Sequence, residues 1–169
     1  MRVFIGTDHA GLEFKEHLKK ALADAGYEPV DCGAFEYDAQ DDYPPFCFEV
    51  GERTVAEPGS LGVVIGGSGN GEQIAANKVP GVRSALVWNT STAQLARQHN
   101  DANVVSIGAR QHSPEEATEL VLEFLRTPFS NDERHVRRIG QIRGYERTRE
   151  LPPLPASAHS PGQGTEPDA

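Results

Sequence analysis

The run Leu61-Gly62-Val63-Val64-Ile65-Gly66-Gly67-Ser68-Gly69-Asn70-Gly71-Glu72-Gln73 leads an apolar, strand-like stretch through a glycine-rich turn into a helix-like stretch. Its four glycines after Ile65, with a serine and an asparagine, strip side-chain bulk from the junction. Successive backbone N–H groups can then converge on an anion, helped by the positive end of the helix. A phosphorylated or enolate-like ligand is implied. The spacing is not that of a dinucleotide loop, because Glu72 stands where the last glycine belongs, and Glu72 also replaces the lysine that a phosphate loop places after Gly71. A carboxylate beside an anion cradle repels a polyphosphate, but it suits a base that takes a proton from carbon while the cradle holds the oxyanion. The other reading makes Glu72 a complement to the helix dipole, with Asn70 and Gln73 as a capping box.

Outward from this junction, short β-type runs alternate with helical ones, which predicts an α/β fold. Strands are predicted at Arg2–Thr7, Glu28–Asp31, Leu61–Ile65, Arg83–Val87 and Val104–Ile107, short runs in which Val, Ile, Leu and Ala outweigh strict alternation except at Glu28–Asp31, as in a parallel sheet covered on both faces. Helices are predicted at Leu12–Ala25, Pro45–Ala56, Glu72–Lys78, Thr90–Gln98, Pro114–Arg126 and about Asn131–Glu150, with Ser91, Ser113 and Ser130 as caps or flanking residues. In the first helix Leu12, Phe14, Leu18, Leu22 and Ala25 form the packing face, with lysines between them.

The 169 residues suit one domain, assigned to 1–150, followed by a flexible proline-rich tail at 151–169 that holds five of the twelve prolines. A proline-recognition ligand is the functional alternative for the tail. A net charge of −9 argues against nucleic acid, although seven of the twelve arginines fall between Arg126 and Arg149. That strip is either a solvated helix face or a functional basic patch. Cys32 and Cys47 match no disulfide framework or metal spacing, and both are assigned to packing in a reducing cytoplasm. No run approaches the ~18 apolar residues of a membrane span, and no export signal opens the chain. The six histidines form no close pair, so neither a metal nor a cofactor is expected.

Parallel sheets bind ligands beyond the carboxyl ends of their strands. There the sequence places Asp8-His9-Ala10-Gly11, the glycine turn, Trp88-Asn89-Thr90 and Gly108-Ala109-Arg110. Asp8 and His9 pair a carboxylate with an imidazole at a helix start, as a cap or as proton-transfer groups. His99 and Asn100 close the fourth helix, where an imidazole is either a structural cap or a functional group.

Taken together, Gly6-x-Asp8-His9-Ala10-Gly11, the turn from Gly66 to Gln73 with Ala75-Ala76-Asn77-Lys78, and His99-Asn100 resemble the type B ribose-5-phosphate isomerases. Ile107-Gly108-x-Arg110 and Arg134-His135-x-Arg137-Arg138 follow in the family's order. The resemblance implies a Rossmann-like three-layer sandwich with a five-stranded parallel sheet, and a C-terminal helix used in dimer contacts. It further implies a homodimer with active sites at the subunit interface, and metal-free, redox-free interconversion of ribose 5-phosphate and ribulose 5-phosphate. Many members of the family carry a catalytic cysteine where this chain has Gly66, and the form seen here resembles an actinobacterial branch whose base is the glutamate at position 72.

On this resemblance Glu72 and His99 are the catalytic pair, His99 protonating the ring oxygen. Asp8, His9, Gly67, Ser68, Gly69, Asn70, Gly71, Asn100, Arg110, Arg134 and Arg138 bind substrate. Asn100 and the turn hold the enediolate, Ser68 relays a proton, and Arg110, Arg134 and Arg138 grip phosphate with His9. Arg134 and Arg138, four apart, can share one helix face. The acidic loop Glu36-Asp38-Asp41-Asp42 is expected to meet basic residues of a neighbouring subunit, and Tyr43 a partner's site. Isomerisation of a six-carbon sugar phosphate such as allose 6-phosphate, or sugar-phosphate sensing without turnover, are the alternative functions.

Overall fold

The computed structural model describes residues 1–155. Residues 156–169, most of the predicted tail, lie outside the described residues. The strands are β1 (Arg2–Thr7), β2 (Glu28–Asp31), β3 (Leu61–Gly66), β4 (Ser84–Leu86) and β5 (Val104–Gly108). The helices are α1 (Leu12–Asp24), α2 (Pro44–Ala56), α3 (Asn70–Ala76), α4 (Thr90–Asn100), α5 (Pro114–Arg126) and α6 (Glu133–Thr148). All strand pairs are parallel, in the order β2-β1-β3-β5-β4.

Alternate residues of the central strands feed two cores, which is why their sequences are apolar throughout. Val3, Ile5, Val63, Ile65, Val105 and Ile107 pack against Phe14, Leu18 and Leu22 of α1, Ala93 and Ala96 of α4, and Val121 and Phe124 of α5. Phe4, Val64 and Val104 face the opposite way, onto Cys47 and Val50 of α2 and Ala75 and Ala76 of α3. The result is three layers with the sheet in the middle. Burial of this kind contributes ~25 cal/mol for each Å² of apolar surface removed from water.

Element ends differ from the sequence expectation where side-chain chemistry overrides pattern. The cap of α4 is Asn89, whose carboxamide accepts from Thr92 N in a reciprocal capping box, and not Ser91. Ser113 caps α5 with Glu116, as the sequence predicts. Ser130 sits before α6, its hydroxyl accepting from Asp132 N. The Asn70–Gln73 capping box does not form, because Gly69 is the cap residue of α3 and Ser68 Oγ takes the Asn70 N–H.

Lys15 is the largest departure. It is one of the lysines between the packing residues of α1, yet it is fully buried. Its ammonium donates to Asp31 Oδ1 and to the Ala34 carbonyl, both at 2.6 Å, while Lys19 takes Asp31 Oδ2. Burial alone would raise the Asp31 pKa, but the bonds from Lys15 and Lys19 outweigh it and leave the carboxyl below its ordinary value. The stabilisation from Asp31 is therefore complete above the ordinary carboxylate range and is lost as pH falls through the lowered value. The ion pair ties α1 to the end of β2, and the bond to the Ala34 carbonyl ties it to the loop that leads on to Asp41 and Tyr43.

Residues 151–155 adopt no regular structure and are exposed. Among the described residues no helix is long and apolar enough to cross a membrane. Replacing Lys15 by Met strands Asp31 with only Lys19, and the urea unfolding free energy should fall by about 3 kcal/mol. An unchanged midpoint would mean the pair contributes nothing.

Candidate active site

Sheet order decides where a ligand can sit. From β1 the chain moves to the β2 side, and from β3 toward β4 and β5, so a crevice opens beyond the carboxyl ends of β1 and β3. A cleft of about 510 Å³ lies there. It is lined by Asp8, His9 and Ala10 after β1, Gly67, Ser68, Gly71 and Glu72 after β3, Arg110 and Gln111 after β5, and Tyr43.

Glu72 occupies the first turn of α3 and is only 5 % exposed. Its carboxyl group lies directly over Gly66 Cα, filling the space that a side chain at position 66 would need. No cysteine, nor even alanine, fits at the end of β3 while the carboxyl is there. Burial raises the Glu72 pKa above its ordinary value, and the nearby Asp8 charge raises it further. The N–H groups of Glu72 itself and of Gly69 oppose that shift without cancelling it. A carboxylate with raised proton affinity is a better match to a weakly acidic carbon than an ordinary one.

The turn beneath this carboxyl is fixed by close approach. Gly69 has φ +81°, and a Cβ there would meet Leu86 at 2.7 Å and the backbone of Ile107 at 3.0 Å. Its carbonyl accepts from Ser106 Oγ at 2.6 Å, pinning the turn to β5. Among the described residues, no acceptor takes the N–H groups of Gly67 and Ser68, which leaves them available beside the cleft. Gly69 itself is buried below the turn, and Asn70 turns toward an adjoining hollow with Trp88 and His112, its amide donating to Ser68 Oγ.

Asp8 is both a cap and a cleft residue: Oδ1 accepts from Ala10 N at 3.0 Å, and the group is 8 % exposed. Asp41, from the acidic loop, binds His9. Its Oδ1 accepts from His9 N at 3.1 Å and meets His9 Nδ1 at 2.6 Å. Only Nε2 of His9 remains for a ligand. Asp8, His9 and Asp41 thus gather ligand-type atoms within 4.8 Å of one another, a cluster invisible in the sequence spacing. The short His9–Asp41 bond turns two of those groups toward each other, which is the behaviour of a dyad. Tyr43 lines the cleft of its own chain, with its hydroxyl against Gly71. Ala10, within the Asp8–Gly11 run, lines the cleft as well, as does Gln111, which carries no motif of its own.

The other expected site residues are elsewhere. Helix α4 leaves β4 at the cleft edge of the sheet and runs 11 residues, about 16 Å, back to the start of β5. His99 and Asn100 therefore lie at the opposite edge. The start of α6 joins them there: the His99 and His135 rings stack with centroids 4.2 Å apart, and Ser130 N donates to the Gln98 carbonyl. Arg134 and Arg138 are exposed on this part of α6, with Arg134 Nε 3.3 Å from His135 Nε2. Burial lowers the His135 pKa, and the neighbouring His99 and Arg134 add to the effect. Arg110 alone of the three expected phosphate arginines reaches the cleft.

Neither cysteine is activated: burial raises the Cys32 pKa to about 11 and raises that of Cys47 further, with the Glu72 and Asp8 charges adding to the latter.

A glycine turn supporting a buried carboxylate, at the switch point of a parallel sheet, defines an α/β small-molecule site built for proton transfer. Residues 3–142 match the family described as Ribose/Galactose Isomerase. The "Ribose-5-phosphate isomerase B" of Mycobacterium tuberculosis is 57 % identical over 157 residues, covering 93 % of this chain and 97 % of the relative. The type B ribose 5-phosphate isomerase of Trypanosoma cruzi is 46 % identical with TM-score 0.82, covering 86 % and 98 % of the two chains. The type B enzyme of Mycoplasma genitalium, solved with bound ribulose-5-phosphate, is 40 % identical with TM-score 0.83, covering 87 % and 97 %. The chain belongs to the ribose/galactose isomerase family.

If Gly66 is what admits the Glu72 carboxyl, a Gly66→Ala crystal structure should show that carboxyl swung away from the strand end. NMR titration of Glu72 should then move back down toward the ordinary carboxylate range. A carboxyl unmoved, with its proton affinity intact, would contradict the steric argument.

Proposed function

We propose that this protein interconverts ribose 5-phosphate and ribulose 5-phosphate by proton transfer through a cis-enediolate, with Glu72 as the base. The observation that carries this reading is the buried, proton-avid Glu72 carboxyl lodged over Gly66 in the switch-point cleft. Membership of the family, and the ribulose-5-phosphate bound to the Mycoplasma genitalium relative, supply the substrate class.

The reaction begins with the furanose ring. A proton donor delivers its proton to the ring oxygen while the anomeric hydroxyl loses one, assisted by Asp8, and the open aldehyde forms. Glu72 removes the C2 proton, and the electron pair moves onto O1. The N–H groups of Gly67 and Ser68 and the Asn100 amide meet the resulting charge. Glu72 returns the proton to C1, and Ser68 relays the hydroxyl proton from O2 to O1. Arg110 and His9 Nε2 face the phosphate end. Losing a general base of this kind costs about 10²–10⁴ in rate.

The ring-opening donor is His99 of the partner subunit. Within one chain His99, Asn100, Arg134 and Arg138 lie across the sheet from Glu72, so a single chain holds two halves of a site and no whole. A two-fold homodimer that sets the α4–α6 corner of each copy over the cleft of the other completes both sites at once. Val136, Ile142 and Tyr145 of α6 are half or nearly half exposed and offer apolar surface for such a contact. The arginines of α6 then approach a cleft that carries Asp8, Asp41 and Glu72, which favours association and supplies positive charge for phosphate. Residues 1–150 form the isomerase domain, the tail from 151 takes no part in the chemistry, and the enzyme works in the reducing cytoplasm.

Co-producing Glu72→Gln and His99→Asn subunits tests the shared site. Each homodimer should be inactive, whereas random pairing gives mixed dimers with one intact site of two, and about one quarter of wild-type ribose 5-phosphate isomerisation should return. No recovery in verified mixed dimers would mean that each chain carries its own site. Running the wild type on allose 6-phosphate alongside decides between five- and six-carbon substrates.

A further inference from the structure

Behind His99 and Asn100 lies a charge network that the chemistry above leaves unused. Asp101 follows them in the left-handed conformation, φ 43° and ψ 45°, which ends α4. Two arginines hold it from opposite sides. Arg83, just before β4, donates from Nη2 to Asp101 Oδ2 at 3.0 Å and to the Asp101 carbonyl at 2.6 Å, and from Nε to the Asn100 carbonyl at 2.9 Å. Arg97, one turn back in α4, donates from Nη1 to Asp101 Oδ1 at 2.9 Å and to the Ala102 carbonyl at 2.6 Å, and reaches the Thr127 carbonyl from Nε. Both guanidinium side chains are largely buried, 13 % and 14 % exposed.

We propose that Arg83, Arg97 and Asp101 are positioning residues that fix the His99–Asn100 pair in the geometry it presents to the partner's cleft; this rests on the shared-site reading above. Three features support the assignment. The network binds the backbone of Asn100 itself. It joins the end of α4 to β4 and α5, which are rigid elements. It also costs more than a surface turn needs, since two cations are buried close together with one carboxylate between them, and Arg143 adds a third positive group near Arg83. Ordinary helix ends are satisfied by a glycine and two backbone bonds. Removing the Asp101 charge leaves Arg83 and Arg97 facing each other unneutralised, and the turn carrying His99 and Asn100 must shift to relieve them.

The test uses Asp101→Asn, since asparagine tolerates the left-handed conformation and keeps an acceptor while losing the charge. Turnover of ribose 5-phosphate should fall by about 10²-fold through kcat, with KM changed far less, because displacement of groups that act on the transition state is felt there. Mixed dimers give the readout that a general loss of stability would not move. Asp101→Asn paired with Glu72→Gln should recover activity, because the Asp101→Asn subunit supplies an intact cleft and the other an intact corner. Paired with His99→Asn it should recover none. Should Asp101→Asn fail to fold, Arg97→Lys, which keeps the charge but loses the fork to Ala102 and Thr127, should sort with His99→Asn in the same way. Wild-type kcat in Asp101→Asn, or recovery with His99→Asn and not with Glu72→Gln, overturns the lock. Recovery in the Glu72→Gln and His99→Asn control without recovery in Asp101→Asn with Glu72→Gln overturns the lock alone; failure of that control takes the shared-site reading down with it.

Discussion

A carboxyl group fills the space where β3 would otherwise carry a side chain, and the candidate site is arranged around that contact. Gly66 leaves the space, Gly69 turns the chain tightly enough to start α3 at once, and the first turn of α3 then aims Glu72 back over the strand end. Position 66 and position 72 compete for one volume. A side chain at the strand end and a glutamate reaching over it from the helix are therefore alternative occupants of that place, and this chain holds the second. Burial in that slot raises the proton affinity that makes the group useful. The same burial makes the charged form a local cost to stability, which the surrounding sheet is large enough to carry.

Much of the fold was legible because its central strands are covered on both faces. Apolar runs such as Leu61–Ile65 and Val104–Ile107 leave little room for another assignment, and the sheet puts them side by side at its centre. The glycine turn was legible for a related reason, since few other structures need so many small residues between a strand and a helix. What escaped were contacts made across long stretches of chain. Lys15 stands among the lysines of the first helix with nothing to distinguish it, and only the return of β2 beside α1 brings Asp31 to it. Asp41 sits 32 residues from His9, and nothing in the local pattern of either residue announces the dyad. Tyr43 follows a polar loop, so its direction depends on how α2 packs over β1 and β3. Asn89, two residues before Ser91, takes the cap because its carboxamide oxygen accepts from Thr92 N while the Thr92 hydroxyl accepts from Asn89 N.

The motif residues divide between two ends of the sheet, and sequence order hides this. His99-Asn100 and Arg134-Arg138 are separated by more than thirty residues, yet they meet at one corner through the His99–His135 stack. Glu72 is nearer to His99 in sequence than Arg134 is, but lies at the other edge. One subunit thus carries a cleft with Asp8 and Glu72 at one end of the sheet and exposed arginines of α6 at the other. In the proposed homodimer that arrangement would give the arginines of an otherwise acidic chain a part in assembly as well as in phosphate binding.

The central claim is that the Glu72 carboxyl moves hydrogen between C2 and C1. Isomerisation of ribose 5-phosphate in D2O, followed by NMR, tests it most directly. The account predicts that the wild type carries hydrogen from C2 to C1, with solvent deuterium entering C1 of the ribulose 5-phosphate wherever the Glu72 carboxyl exchanges its proton before returning it, and that Glu72→Gln, though still able to bind the sugar phosphate, loses both product formation and exchange of carbon-bound hydrogen by about 10²–10⁴-fold. Continued exchange at C1 or C2 in Glu72→Gln would show that another group is the base, and the account would fail at its centre.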